Sequence, residues 1–370
     1  MYMMTRERIP ARVSPPGIII QHEIDARGWT QKDLAEIINR PVQAINEIIK
    51  GTKQITPETA IELGAAFGSS PQMWLNLETN YRLWLASQKK DGTGIVKRGR
   101  LYSLLPVREM QRRGWLGPVG STAELECAIC EFLAIENLDD EPKTVNFRCS
   151  PGKEPDLPSK MAWVNRVKYL ASRKKVGPFD AQRLEKQLPE ILSLSTNVEN
   201  IRNMPVLLSD LGIRFVIVPT LPKTYIDGAA FYVNDSPTIA LSLRYDRIDS
   251  FWFNICHEIS HILYGHNESY LDVNLYEVEA SEESVSSKEE VEANEQAKNW
   301  LIDPTVYHAF INSVQGRYFS REAIEDFARS LKRHPGIILG RLQRDGYVPY
   351  RNLRQLLVKL NGYLEGQIDC

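Results

Sequence analysis

The sequence predicts a multidomain protein: an all-α N-terminal part followed by an α+β C-terminal part. Three observations carry this. Residues 17–86 show helical periodicity in short runs separated by turn signals. Strand-like runs come only late in the chain, at 213–218 (IRFVIV), 229–233 and 238–243 (TIALSL). A long helical stretch, 248–264, follows them, with more helix beyond.

The chain has 370 residues, 43% hydrophobic and 25% charged, which suits two or three ordinary globular domains. Its net charge of −2 gives no basic excess overall, but the first 100 residues carry about +4 and the remainder is acidic. No apolar run approaches the roughly 18 residues of a membrane span. Residues 1–10 lack the apolar segment of a secretory signal, so a cytoplasmic protein without membrane partners is expected. Five cysteines, at 127, 130, 149, 256 and 370, argue against a disulfide framework. Cys127 and Cys130 fall in an apolar helical stretch and are expected to be buried thiols. The expected domains are 1–88, a linker and helical connector over 89–160, and 161–370. The connector starts at the basic, glycine-bearing KKDGTGIVKRGR. No internal repeat is visible.

Within the first domain, residues 30–51 read TQKDLAEIINRPVQAINEIIKG. Thr30 is placed to cap a helix, with Asp33 in the capping-box position. Leu34, Ala35, Ile37 and Ile38 give that helix an apolar face. Asn39, which tolerates left-handed backbone, and Pro41 mark a tight turn. Val42, Ile45, Ile48 and Ile49 give a second apolar face, and Gly51 ends the second helix. Two helices crossing steeply need a small residue at the crossing, which Ala35 supplies. This pattern suits a helix-turn-helix, and on periodicity alone equally a generic αα-hairpin with a polar outer face. Gln43, Ala44, Asn46, Glu47 and Lys50 are expected on the outer face, where Gln and Asn can pair with adenine. Thr30, Gln31, Arg40, Lys50 and Lys53 are expected at phosphates.

These residues resemble the HigA-type antitoxins within the Xre class of repressors. The likeness covers about 70 residues: the PG start at 16–17, TQKDLA at 30–35, ITPETA at 55–60 and SPQMWLNLETNY at 70–81. Asn39-Arg40 departs from it, since many relatives have Gly followed by an apolar residue. The resemblance implies an antitoxin-like repressor that binds double-stranded operator DNA, controls its own operon as a homodimer, and partners a HigB-type toxin.

The second domain carries FWFNICHEISHILYGH at 251–266. His257 and His261 are i and i+4 on a helix, so both imidazoles can reach one metal ion. Glu258 lies beside them as a candidate general base, and zinc lowers the pKa of a coordinated water toward about 7. A catalytic zinc site needs a third protein ligand, expected downstream. The flanking apolar residues bury this helix, and two buried imidazoles with a carboxylate call for a strong partner.

Residues 290–304 (EVEANEQAKNWLIDP) resemble the E-x-E-A-N-x-F-A segment of the ImmA/IrrE family of metallopeptidases. The likeness extends to IDGAAFYV at 226–233, TIALSLR at 238–244 and HPGIILGRLQRDGYV at 334–348. It implies a zincin-like domain holding one Zn2+ per chain, with Glu290 as third ligand and Glu292 or Glu289 as alternatives. Gln296 stands where the family has Phe. The resemblance further implies a regulatory zinc endopeptidase acting on a protein substrate. His266, His308 and His334 are read as surface or structural residues, His334 as a local cap. Tyr232, Arg244 and His308 are candidates for stabilising an oxyanion. The acidic run 277–292 is read as a solvated loop.

Overall fold

The computed structural model describes residues 13–89, 92–138, 156–265, 270–273, 288–314 and 318–369. Cys149, His266, Cys370 and most of the acidic run lie outside them. So do residues 1–10. The chain forms two compact units, with the boundary between Lys97 and Arg98.

The first unit begins with five helices: α1 (Pro16–Ala26), α2 (Gln31–Ile37), α3 (Val42–Ile49), α4 (Pro57–Phe67) and α5 (Pro71–Lys89). Their starts are written in the sequence. Thr30 accepts the backbone N–H of Asp33, and the Asp33 carboxylate accepts from the N–H and hydroxyl of Thr30 at 2.7 and 2.8 Å. Thr56 caps α4 by accepting the N–H of Thr59, with Pro57 in the first turn. Between α2 and α3, Asn39 takes φ +52°, as the tight turn requires. Ile20, Ile24, Leu34, Ala35, Ile45, Ile48, Leu63 and Trp74 pack as one core.

The outer face of α3 differs from expectation at two places. Ala44 is buried at 7% exposure, and Val42 is 42% exposed. At about 100° per residue, Ala44, Ile45 and Ile48 form a single arc facing the core, and Val42 falls outside it. Ala44 is therefore withdrawn from the base-contacting surface.

The helix α6 (Gly92–Leu104) begins in the first unit and ends in the second. The second unit continues with α7 (Val107–Arg112), α8 (Thr122–Leu133), α9 (Leu157–Ser172), α10 (Ala181–Ser193), α11 (Met204–Asp210), β1 (Arg214–Ile217), β2 (Ile226–Val233), β3 (Ser236–Leu241), α12 (Ile248–Leu263), β4 (Tyr270–Val273), α13 (Lys288–Leu301), α14 (Pro304–Val314), α15 (Arg321–Leu331) and α16 (Pro335–Arg344). The four strands form one sheet in the order β1-β3-β2-β4. β1 runs parallel to β3, and β2 runs antiparallel to β3 and β4.

Strand alternation divides the interior in two. Phe215, Ile217, Ala230, Ile239 and Leu241 face a core built with α10, α12, α13 and α16. Val216, Val218, Ala229, Phe231 and Ala240 face a second core. That second core includes Leu101, Leu105, Val107, Met110, Leu125 and Ile129. α9 packs on β1 and β2 on that side, and the segment expected as a connector adds its apolar residues to the same core. α8 buries Leu125, Ile129 and Leu133 at i, i+4 and i+8, which turns Cys127 outward; Cys127 is exposed and Cys130 half-buried, contrary to expectation. Cys256 is fully buried, and burial pushes its thiol up to about 12.

Candidate nucleic-acid interface and candidate metal centre

Two surfaces carry the predicted site residues, one in each unit. In the first, Gln43 and Lys50 are exposed on α3, and Asn46 is half-buried beside them. Nε2 of Gln43 donates to Oε1 of Glu47 at 3.0 Å. Nδ2 of Asn46 donates to Oε1 of Gln31 at 3.4 Å, and Gln31 in turn donates to Gln21 at 3.2 Å. Gln31 thus joins the first turn of α2 to the outer face of α3.

Thr30 and Lys53 are exposed, and the hydroxyl of Thr30 is engaged by Asp33. Nε and Nη2 of the Arg40 guanidinium donate to the Glu62 carboxylate of α4, at 2.5 and 3.2 Å. Arg40 therefore ties the turn to α4 before it meets any phosphate. Gly51, at φ +73°, ends α3 and leaves Lys50 and Lys53 on its exposed flank.

In the second unit α12 packs against β2 and β3 of the sheet and against α13 and α16. His257, Glu258 and His261 are buried, at 0%, 1% and 3% exposure. The Nε2 atoms of the two imidazoles lie 2.9 Å apart. Glu290 reaches across from α13, with Oε2 3.4 Å from His257 Nε2 and Oε1 3.5 Å from His261 Nε2. Its side chain is 18% exposed, so the centre opens toward solvent on the α13 side. Ala293, Ala297 and Leu301 seat α13, and Glu290 lies on the same helical face one turn earlier.

One ligand atom from each of His257, His261 and Glu290 lies within 4.8 Å of the others. Around a tetrahedral zinc with bonds of about 2.0–2.1 Å, ligand atoms stand roughly 3.3 Å apart. The two histidine–carboxylate distances match that spacing and the imidazole pair is slightly closer. Two imidazole nitrogens and a carboxylate oxygen are also a donor set zinc accepts. The residues fit the ion.

Reading the sequence missed several groups of this site. Gly228 of β2 faces α12, and a Cβ there would collide with Oε1 of Glu258. Only glycine lets the Glu258 carboxylate lie so close to the strand. Ser250 and Asn254 continue the polar face of α12 toward its start, and Oγ of Ser250 and Oδ1 of Asn254 are buried without a hydrogen-bond partner. Oδ1 of Asn294, one turn after Glu290, is likewise unpartnered. The signal was available: positions 250, 254, 257, 258 and 261 are polar at helical spacing in an otherwise apolar segment.

Asp249 is buried beneath Gly340, and both oxygens accept from Arg247 at 3.0 and 2.6 Å. Burial raises its carboxyl above the ordinary value. His334 caps α16, its Nδ1 accepting from Gly336 N–H at 3.0 Å. His308 is exposed, Tyr232 is 48% exposed, and Arg244 lies 3.8 Å from the Asp227 carboxylate. No helix among the described residues is long and apolar enough to cross a membrane.

Comparison with known proteins places the first unit in a class. A helix-turn-helix family profile matches residues 20–74. An HTH-type transcriptional regulator of Escherichia coli (strain K12), YddM, is 36% identical over 76 residues, which is 20% of this chain and 81% of that protein. Virulence-associated protein I of Dichelobacter nodosus is 35% identical over 82 residues, 22% of this chain and 76% of that protein. Among solved structures, an addiction module antidote protein of the HigA family from Coxiella burnetii is 32% identical, covering 21% of this chain and 86% of its own, with a TM-score of 0.21. An antidote protein of a plasmid maintenance system from Nostoc punctiforme is 38% identical, covering 21% of this chain and 86% of its own, also with a TM-score of 0.21. Through its N-terminal unit the chain belongs to the helix-turn-helix family of DNA-binding transcriptional regulators.

Proposed function

We propose that this regulator is an antitoxin-like repressor of its own operon whose second unit is a zincin-like zinc metallopeptidase domain. The observation that carries the second half is the convergence of His257, His261 and Glu290 beside Glu258. Burying these groups together is costly unless a cation joins them. Zinc, when bound, would act as a Lewis acid at the centre. His257, His261 and Glu290 would hold it, and Glu258, packed against the glycine of β2, would take and return a proton. Asn254 and Asn294 offer carbonyl oxygens to a donor at the margin of the site.

The DNA half rests on the exposed end of α3. A homodimer would present two such helices to two half-sites of a double-stranded operator. The antidote proteins to which the first unit is similar support a toxin encoded beside this gene as a partner of the HigB type. The second reading is a regulatory endopeptidase that the helix-turn-helix delivers to a protein substrate. The near-complete burial of Glu258 next to the ligand set favours keeping it.

Zinc analysis of the purified full-length chain tests the centre. About one zinc per chain is expected in the wild type, and its loss in His257→Ala and Glu290→Ala. Absence of zinc after supplementation would sink the metallopeptidase reading. Glu258→Gln separates the two readings: it should retain zinc and DNA binding and abolish peptide cleavage. If operator control in cells survives it, cleavage is not needed for repression. On the DNA side, Gln43→Ala with Asn46→Ala should cost operator specificity while the fold is retained. An unchanged footprint on operator DNA would reject α3 as the reading helix.

A further inference from the structure

Val42 opens α3 yet lies outside the core that α3 builds. It is 42% exposed, while Ala44, Ile45 and Ile48 are buried. Pro41 before it and Gln43 after it are also exposed, so an isopropyl group stands on the surface of the first turn. Asn46 lies at i+4 from Val42 and is its neighbour on the helix surface.

The two amides beside it are already oriented. The amide nitrogen of Gln43 gives one hydrogen to Glu47 at 3.0 Å, and that of Asn46 gives one to Gln31 at 3.4 Å. Each amide nitrogen carries two hydrogens. Each side chain therefore keeps one N–H and its carbonyl oxygen for another partner. That donor–acceptor pair matches N7 and N6 of adenine. In the major groove the thymine of an A·T pair adds a C5 methyl group, the apolar feature among the base edges there.

We infer that Val42 is a specificity-determining residue that packs against a thymine C5 methyl, next to an adenine read by Gln43 or Asn46. This rests on the reading of α3 as the helix that enters the major groove, where the first residues of such a helix reach the base edges. The half-site then contains an A·T step in which thymine is preferred over cytosine and also over uracil. The second preference is one that no hydrogen bond can produce, because thymine and uracil present the same donors and acceptors.

The test uses the full-length chain. A binding site is first selected from random-sequence duplex DNA. Each thymine in it is then replaced in turn by deoxyuridine, and affinity is measured at fixed salt, since salt alone shifts such affinities widely. At one thymine per half-site the wild type should lose about fourfold, the size expected for one buried methyl. Val42→Ala should lose a similar factor on thymine DNA and little more on the uracil duplex. Val42→Thr, close to valine in shape, controls for folding and should keep part of the methyl sensitivity. If no thymine is sensitive, or if Val42→Ala is as sensitive as the wild type, the inference is overturned. If no sequence is enriched at all, the reading of α3 as a base-reading helix fails, and this inference with it.

Discussion

The helix pairs α2–α3 and α12–α13 both gather side chains from two helices, but they aim them in opposite directions. On α3 the polar residues point to solvent, and their amides are held by single neighbours such as Glu47 and Gln31. On α12 the polar residues point inward, to a place where His257 and Glu258 are at most 1% exposed. An outward face needs no partner in the free protein, because water satisfies it. An inward face must be satisfied within the fold or by a bound ion, since an unpaired buried polar group costs about 1–3 kcal/mol. A surface site is therefore carried by a few side chains on an intact helix pair. A buried site is carried by everything that packs around it, including the glycine of β2.

Four substitutions would break or sharpen that contrast, from the largest effect to the smallest. Ile45→Ala empties part of the core under α3 and should cost about 2–5 kcal/mol in the first unit. DNA binding should fall with it and metal content should not, as measured by thermal unfolding, gel shift and metal analysis on one preparation. Loss of metal as well would mean that the two units do not fold independently. Gly228→Ala drives a methyl into the Glu258 carboxylate and should cost about 1–3 kcal/mol in the second unit. Its expected signature is the reverse: disturbed metal content with intact DNA affinity. A fully wild-type melting curve would show that the strand yields easily.

Thr30→Ala removes the capping box of α2 and should cost about 1 kcal/mol. Because α2 positions Gln31 against Asn46, DNA affinity should drop modestly too, whereas Thr30→Ser should restore both in the same assays. The smallest effect concerns pH. Burial holds the His334 imidazole below its ordinary value, and the cap on Gly336 needs the neutral ring. The stability this contributes is fully present above the unfolded value of about 6.5 and is lost as pH falls through the lower folded value. His334→Asn, which can cap without titrating, should flatten that part of the stability–pH curve by up to about 1 kcal/mol. An unchanged curve would mean that the ring does not titrate in that window.

The sequence was most legible where local rules act alone. Thr30, Asn39 and Gly51 bound α2 and α3 as caps and turns dictate, because capping is settled within four residues. The strand over 213–218 appears as β1, shortened at both ends, that over 238–243 as β3, shifted two residues toward the N-terminus, and the helix over 248–264 as α12. β4 was not anticipated, since four residues give periodicity little to work with. Reading residue by residue misplaced Ala44 and Val42 because a short helix leaves the edges of its apolar arc undetermined. Cys127 was misplaced for a related reason: an apolar segment can bury only one face, and the sequence does not mark the face that Leu125, Ile129 and Leu133 define.

What the sequence determined by itself, then, was the helix-turn-helix and the pairing of His257 with His261, because both depend on spacings of a few residues along one or two helices. Only the tertiary structure decided that Glu290 stands 3.4 and 3.5 Å from those two histidines, that residues 101–133 share a core with one face of the sheet, and that Arg40 reaches Glu62. Each of these joins groups far apart in the chain. Such contacts form only when separate apolar faces are buried against one another, and the spacing of residues within any one segment carries no record of which face its partner will present.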